Sequence, residues 1–189
     1  MRKVYLDNNA TTQMAPEVIS SMQQSLQLYG NASSMHEFGR DSHVAIEHAR
    51  NQVARMIGAD AGEIIFTSGG TESDNAVFAL ARDLIDNGSP RKRLITSTIE
   101  HPAIIETCRY LVKHGYRIDY VPVDSTGKID MDRYRQLLGD DVLLVSIMAA
   151  NNETGTIQDI LQVTKLAHES GALMHTDAVQ ARSEEHTSE

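Results

Sequence analysis

Four short segments of the sequence carry residue types that bind ligands, and each is predicted to follow a β-strand directly. These segments are SGGTES at 68–73, TIEHP at 98–102, AANNETG at 149–155 and DAVQ at 177–180. In an open α/β sheet, ligands collect at the carboxyl ends of the strands. We therefore expect the four segments to lie together and to form one site.

The first segment, around Gly70 and Thr71, has the composition of a phosphate site. Two glycines let the backbone approach a ligand closely, and the free amides at a helix start attract an anion, with Thr71 adding a hydroxyl. The alternative is an ordinary tight turn in which Thr71 or Ser73 caps the helix. The segment lacks the Gly-Lys-Thr of a nucleoside triphosphate loop and the three-glycine dinucleotide fingerprint, so neither of those ligands is predicted.

The other three segments offer groups that could hold a cationic aromatic ring. Asp177 could pair with a protonated ring nitrogen, which is the partner that a pyridoxal phosphate ring needs to act as an electron sink. An isolated aspartate at a strand end is more often a helix cap or a surface residue. His101 could stack on such a ring or transfer protons near neutral pH, or it could be a hydrogen-bonded structural residue. Asn152 could donate to a ring oxygen or belong to a simple loop.

Two hydrophobic periodicities alternate along the chain and predict the elements that position these segments. Helical patterns cover 16–28, 38–57, 72–85, 103–113, 131–138 and 160–169. Short β-rich runs lie between them, namely EIIFT at 63–67, RLITS at 93–97, RIDYVPV at 117–123, VLLVSIM at 142–148 and ALMHT at 172–176. Continuous apolar runs between helices are typical of strands covered on both faces. We therefore predict an α/β fold with a mostly parallel sheet and helices on both of its faces.

Composition narrows the class of protein. The 189 residues are 41% hydrophobic, which suffices for one well-buried domain, and the net charge of −9 argues against nucleic acid as a partner. Cys108 is the single cysteine, so we expect no disulfide framework and no bound metal. No window is apolar enough for a signal peptide or a membrane span. The expectation is a cytoplasmic protein with no membrane partner.

Six motifs, taken together, resemble one enzyme family. YLDNNATT, GNASSMHEFGR, FTSGGTESDN, IEHPAI, NNETGTIQDI and HTDAVQ occur in the order and at the spacing of the NifS/IscS-like cysteine desulfurases. These enzymes are class V aminotransferases of pyridoxal 5'-phosphate (PLP) fold type I. The resemblance covers residues 1 to about 181 and implies an incomplete fold type I large domain, similar to that of aspartate aminotransferase, from the N-terminal half of the family.

The resemblance also implies a role for each residue at the predicted strand ends. The pair Gly70-Thr71 is expected to bind the cofactor phosphate. His101 is expected to stack on the pyridine ring and to take part in proton transfer. Asn152 would then lie beside the ring oxygen and the substrate, Asp177 would pair with the ring nitrogen, and Gln180 would contact the ring hydroxyl.

The reaction implied by the resemblance takes sulfur from L-cysteine and leaves alanine and an enzyme-bound persulfide. That sulfur would supply iron–sulfur cluster assembly or another sulfur transfer. The implied partners are a second copy in a homodimer and a sulfur-acceptor or scaffold protein. Within the fold, the alternative is a selenocysteine lyase or another class V transferase. The alternative from a different class is a non-catalytic module that holds a phosphorylated metabolite.

The sequence departs from the family pattern in three places. The family's Schiff-base lysine follows a Ser-x-His motif beyond Gln180, and no Ser-x-His-Lys occurs in this sequence. The persulfide cysteine is also absent, because Cys108 falls in a predicted helix, where a small buried thiol is the better interpretation. The arginine that binds the substrate carboxylate is missing as well. We therefore expect the chain as written to be inactive and aggregation-prone.

The last eight residues, RSEEHTSE at 182–189, do not continue the predicted fold. They resemble the in-frame translation of a common sequencing adapter, so we predict a non-native tail and exclude it from the fold. The domain prediction is then an N-terminal segment at 1–15, a partial PLP-binding large domain at 16–181 and this tail.

Overall fold

The computed structural model describes residues 3–8 and 10–181. The predicted tail at 182–189 lies outside the described residues, and the predicted boundary between residues 15 and 16 stays a prediction. The chain divides into two units, Met1–Phe66 and Thr67–Glu189. None of the helices that the structure describes is long and apolar enough to cross a membrane.

The first unit is helical. Its elements are helix α1 at Pro16–Ser25, helix α2 at Glu37–Ile57 and a 3-10 turn at Ala61–Glu63. His36 caps α2, since its Nδ1 accepts a hydrogen bond from the N–H of Gly39 at 3.2 Å. Gly58 ends the same helix with φ of 68°, a left-handed conformation that glycine adopts without strain. Both helices lie where the hydrophobic periodicity predicts them.

The strand predicted at 63–67 is wrong. The structure has the 3-10 turn there, in which the N–H of Asp60 donates to Oε2 of Glu63 at 2.9 Å, and none of residues 64–67 lies in a strand. The guanidinium of Arg50 donates to the carbonyl oxygen of Ile64, and its Cζ lies 4.9 Å from the centroid of the Phe66 ring. A side chain of α2 therefore binds the backbone that a neighbouring strand would otherwise have paired.

The second unit is built on a parallel four-stranded sheet. Its strands are β1 at Arg93–Ser97, β2 at Arg117–Val121, β3 at Val142–Ser146 and β4 at Leu173–His175. Its helices are α3 at Gly70–Asp86, α4 at Pro102–Lys113, α5 at Met131–Leu137 and α6 at Ile160–Glu169. The strand order is β2-β1-β3-β4, and all three pairings are parallel. The predicted α/β fold with a parallel sheet is confirmed.

Both faces of the sheet are covered by helices, as predicted. Leu94 of β1 packs in a cluster with residues of α3 and α4, whereas the next residue, Ile95, packs in a second cluster with residues of α5 and α6. Successive side chains of a strand point to opposite faces, so the two clusters lie on opposite sides of the sheet. All of β3 is buried, which explains its nearly continuous apolar sequence. Burial of each large apolar side chain contributes roughly 1.5–3 kcal/mol.

Charged side chains join the amino ends of the central strands. The guanidinium of Arg93 lies 2.7 Å from Oδ2 of Asp119 and 2.6 Å from Oδ1 of Asp141, and it donates to the carbonyl oxygen of Leu137. Only 11% of the Arg93 side chain is exposed, and its hydrogen bond to Asp141 raises its pKa. This edge of the sheet therefore pairs a largely buried cation with two carboxylates.

Candidate functional site

The strand order creates a crevice at the carboxyl ends of β1 and β3. From β1 the chain passes through α4 to β2 on one side, and from β3 it passes through α6 to β4 on the other. Where neighbouring strands lead away in opposite directions, their loops separate and leave room for a ligand. A cavity of about 320 Å³ opens there and is lined by 98–102, Gly127 and 151–154. His101 and Asn152, both predicted as site residues, line this cavity.

Asn151 holds the two loops of the crevice together. Its Nδ2 donates to the carbonyl oxygen of Ile99 at 3.0 Å, and its Oδ1 accepts hydrogen bonds from the N–H groups of Glu153 and Thr154 at 3.0 and 2.9 Å. Asn151 is buried, whereas Asn152 is partly exposed at the cavity. Our sequence analysis missed Asn151, although asparagine commonly binds the backbone two residues ahead in such turns.

His101 begins helix α4 and presents its ring to the crevice. Its Nδ1 accepts a hydrogen bond from the N–H of Ala103 at 3.1 Å, so the side chain caps the helix. With Nδ1 occupied as an acceptor, a neutral His101 ring carries its proton on Nε2. The structural role and the proposed chemical role are therefore compatible, because the cap orients the ring and leaves Nε2 available.

Beyond β4, the backbone of Asp177 makes one more hydrogen bond to the segment that follows β3. Its carbonyl oxygen accepts from the N–H of Ala149 at 2.8 Å, and its Oδ1 accepts from the N–H of Val179 at 2.9 Å. The residue is only 9% exposed, so it is not the surface aspartate of the alternative interpretation. Its other oxygen, Oδ2, accepts no hydrogen bond from a described residue. Gln180 follows in the same segment and is partly buried.

Helix α3 begins at Gly70, directly beside the segment that contains Asp177. A Cβ atom on Gly70 would lie 3.0 Å from Cγ2 of Val179, so glycine permits this close approach. The N–H of Ser68 donates to Oε2 of Glu72 at 2.6 Å, whereas the N–H groups of Gly70 and Thr71 donate to no described residue. These two amides point outward from the positive end of the helix, where an anion is stabilised.

Two further acidic residues lie buried behind the crevice. Asp74, on α3, is 4% exposed, and burial followed by the charge of Asp177 raises its pKa to about 6. Our sequence analysis missed it, although a signal exists. Asp74 lies four residues before Phe78 and seven before Ala81 and so shares the apolar face of an amphipathic helix, where a charge is unusual.

Glu100 is the second of these acids. It is 6% exposed, and burial raises its pKa to about 7. Its Oε1 accepts from Oγ of Ser97 at 2.5 Å and from the N–H of Met148 at 3.0 Å, while Oε2 is buried and has no partner among the described residues. Glu100 therefore links the end of β1 to the end of β3, immediately before His101.

The charges at this edge of the sheet favour a cationic ligand. Among the described residues, no lysine or arginine forms an ion pair with Asp74, Glu100 or Asp177. A ligand with a cationic ring and a phosphate would place the ring near Asp177 and the phosphate at the start of α3. The residues present therefore fit the chemistry of PLP, which carries both groups.

Among the described residues, no lysine pairs with these acids, and the single cysteine is a buried core residue. Lys128 donates to the carbonyl oxygen of Ile157, and Lys165 pairs with Glu169 on α6 at 4.0 Å. Cys108 is fully buried within the cluster under α3 and α4, and burial raises its pKa to about 12. The predicted buried thiol is confirmed. No group of three potential metal ligands occurs in the part of the chain that the structure describes.

Comparison with known proteins gives consistent matches along nearly the whole chain. The profile of the family described as aminotransferase class-V matches residues 4–188. A cysteine desulfurase IscS of Dictyoglomus turgidum is 49% identical over 181 residues, which are 95% of this chain and 45% of that protein. A cysteine desulfurase NifS of Azotobacter vinelandii is 44% identical over 183 residues, which are 96% of this chain and 45% of that protein.

Solved structures match with similar coverage. A NifS-like protein superposes with a TM-score of 0.90 at 40% identity, over 95% of this chain and 50% of that one. A structure of SspA in complex with cysteine superposes with a TM-score of 0.87 at 33% identity, over 94% of this chain and 51% of that one. The chain thus spans about half the length of the relatives that it matches.

Proposed function

The chain belongs to the class V aminotransferase family, and we propose that it is part of a PLP-dependent cysteine desulfurase. The intact enzyme would remove sulfur from L-cysteine, leave alanine and pass the sulfur to iron–sulfur cluster assembly or another acceptor. PLP, when bound, supplies an electron sink for this chemistry. The main support is that the start of α3, where two amides donate to no described residue, lies against the segment that contains the buried Asp177.

In this proposal Gly70 and Thr71 bind the phosphate. Their N–H groups donate to no described residue, and the dipole of α3 favours a negative charge at its first turn. The side chain of Thr71 is exposed and can add a hydroxyl donor. The first amides of any helix lack an intrahelical acceptor, so at α3 they are donors that a bound anion can use.

The ring would be held between Asp177 and His101. Asp177 is buried and has one oxygen that accepts from no described residue, which suits it to accept a hydrogen bond from a protonated ring nitrogen and keep that nitrogen cationic. His101 would cover the ring and hold or move a proton at Nε2, because its Nδ1 is engaged with Ala103. Asn152 would lie beside the substrate and a ring oxygen, and Gln180 would contact the ring hydroxyl.

Further parts of the proposal concern the intact protein. The similar solved structure of SspA in complex with cysteine supports L-cysteine as the substrate. A homodimer, a sulfur-acceptor or scaffold protein and a cytoplasmic setting are proposed from the family resemblance. The 189 residues contain no Ser-x-His-Lys motif and no cysteine besides the buried Cys108, so we propose that this stretch alone does not turn over cysteine.

The test uses the full-length protein, purified with PLP, and measures its visible absorption and the release of sulfide from L-cysteine. We expect a yellow protein that releases sulfide, and a loss of rate of about 100-fold or more for Asp177→Ala, because a preorganised charge is removed. Asp140→Ala, at an exposed position far from the crevice, is the matched control and should leave the rate unchanged.

The same variants separate the alternative functions. A module that binds a phosphorylated metabolite would show phosphate affinity that Asp177→Ala does not alter, with no release of sulfide. A selenocysteine lyase would release selenide from selenocysteine and leave cysteine unchanged. A colourless full-length protein without affinity for PLP would contradict the proposed function.

A further inference from the structure

A row of polar side chains lies immediately beneath the proposed cofactor site. Thr96, Ser146 and His175 are paired across β1, β3 and β4 by the strand register. The row two residues earlier is apolar and consists of Leu94, Leu144 and Leu173, of which the first two pack under α3 and α4. The α3–α4 face of the sheet therefore changes from apolar to polar in its last row before the carboxyl ends.

His175 is the titratable member of this row, and two polar groups orient its ring. Its Nδ1 lies 2.9 Å from Oγ of Ser146, and its Nε2 lies 3.6 Å from Oδ1 of Asp74 on α3. The ring also packs at an edge-to-face angle near Phe78, with centroids 6.5 Å apart. A neutral ring with its proton on Nε2 fits both neighbours, because Ser146 then donates a hydrogen bond to Nδ1, and Nε2–H faces the Asp74 carboxylate without a direct hydrogen bond.

Asp177 lies two residues beyond His175 and therefore on the same side of the chain as β4 leaves the sheet. The two residues interact electrostatically, since the charge of Asp177 favours the protonated form of His175. Burial acts in the opposite direction and has the larger effect, so the pKa of His175 is lowered. The acids Asp74 and Glu100 also interact with Asp177 and bring no positive charge, and a charge on His101 acts on Asp74.

We propose that His175 is a positioning residue for Asp177, a neutral imidazole that supports the end of β4 from below without neutralising the carboxylate above it. This inference rests on the proposed function, in which Asp177 pairs with a cationic ring nitrogen. A cation at position 175 would compete with that nitrogen for the same carboxylate. The polar row thus supports the end of β4 by packing and hydrogen bonds, and it adds no cation that would compete with the ligand for the Asp177 carboxylate.

The test compares a neutral with a cationic replacement in the full-length apoprotein. His175→Gln keeps one donor and one acceptor, so we expect the dissociation constant for PLP to stay within about threefold of the original. His175→Lys introduces a cation beneath Asp177 and should weaken PLP binding by about tenfold or more, since a nearby charge alters an ionisation by one unit or more. His168→Lys makes the same change of charge at an exposed position of α6 and should have no effect.

The outcomes separate this inference from the proposed function. If the unaltered protein does not bind PLP, the proposed function fails. If it binds PLP and His175→Lys binds equally well, only the role of His175 is overturned. Equal weakening by His175→Gln and His175→Lys would also overturn it, because packing alone would then explain the loss.

A second measurement does not depend on whether the variants fold. Nitrogen NMR of the histidine rings in the unaltered apoprotein should show a neutral His175 with its proton on Nε2 at neutral pH and below, since burial lowers its pKa. A His175 ring that is doubly protonated at neutral pH would overturn the inference.

Discussion

The two ends of the parallel sheet treat buried charge in opposite ways. At the amino end, Arg93 binds the carboxylates of Asp119 and Asp141, so that both acids lie beside a cation of the protein. At the carboxyl end, Asp74 and Glu100 lie buried with Asp177, and no lysine or arginine of the described chain pairs with them. The first arrangement is complete within the protein. In the proposed function, a cationic ligand completes the second.

The acids at the carboxyl end carry an energetic cost that the paired acids at the amino end avoid. A buried carboxylate without a cation is destabilised in its charged form, and the raised pKa values of Asp74 and Glu100 express that cost. For Glu100, the change from 4.5 to about 7 corresponds to roughly 3 kcal/mol at a pH above both values. A fold retains such a cost where a site needs the charge, which is the pattern of perturbed groups at functional sites.

Breaking the amino end should have the largest effect on stability. Arg93→Met would leave Asp119 and Asp141 without their cation, and we expect a loss of about 3 kcal/mol in the free energy of unfolding, because several charge-assisted hydrogen bonds of a largely buried guanidinium are lost. Urea unfolding of the full-length protein measures it. The matched control is Arg117→Met, since Arg117 is 72% exposed and lies 3.7 Å from Asp141, and a loss below about 1 kcal/mol is expected. Equal losses for the two variants would contradict the comparison.

Neutralising the carboxyl end should have the opposite sign and should depend on pH. Since the folded pKa of Glu100 is raised to about 7, the folded state holds a proton between about pH 4.5 and 7 that the unfolded state releases. Stability is therefore lost as the pH rises through that window. Glu100→Gln cannot ionise, so relative to the original protein it should gain about 3 kcal/mol in unfolding free energy between pH 4 and pH 8.

The control for this prediction is Glu106→Gln. Glu106 is an exposed residue of α4 that pairs with Arg109, and its replacement should leave the pH dependence of unfolding unchanged. A profile for Glu100→Gln that runs parallel to that of the original protein would show that Glu100 ionises normally in the fold.

A smaller effect is expected where α3 approaches the segment after β4. Gly70→Ala would place a Cβ 3.0 Å from Cγ2 of Val179, so Val179 must shift, and we expect PLP to bind about threefold to tenfold more weakly, or about 1 kcal/mol. Gly69→Ala is the matched control, because no atom lies within 4 Å of its added Cβ and its φ of 162° is extended backbone. Fluorescence titration of the full-length apoprotein measures both, and equal affinities for the two variants would contradict the close approach.

Much of the fold follows from periodicity in the sequence. The strand RLITS occupies 93–97 as predicted, and α6 begins and ends at the predicted residues 160 and 169. The strand and the helix were both predictable because the spacing of their apolar residues shows which of their faces are buried. The strand predicted at 63–67 failed because Arg50, from another element, binds the backbone there. A local pattern contains no information about such a partner.

The candidate site, like the fold, could be predicted only in part from the sequence. The strand-end rule singles out His101 and Asp177, and the structure brings both to the carboxyl edge of the sheet; their roles stay predictions. Asp74 and His175 were missed because their position depends on how α3 packs on β3 and β4. The same rule also selected Gly70, but only because a strand was predicted at 63–67, and the structure has no strand there. Gly70 is nevertheless at that edge because α3 starts there.

The central claim is that Asp177 keeps a bound pyridine ring cationic, and nitrogen NMR of the full-length protein loaded with PLP labelled at the ring nitrogen tests it most directly. The account predicts a protonated ring nitrogen at about pH 8 in the original protein and a deprotonated one in Asp177→Asn, because the neutral amide no longer stabilises the positive charge. A ring nitrogen that is deprotonated in the original protein, or protonated equally in both, would contradict the account.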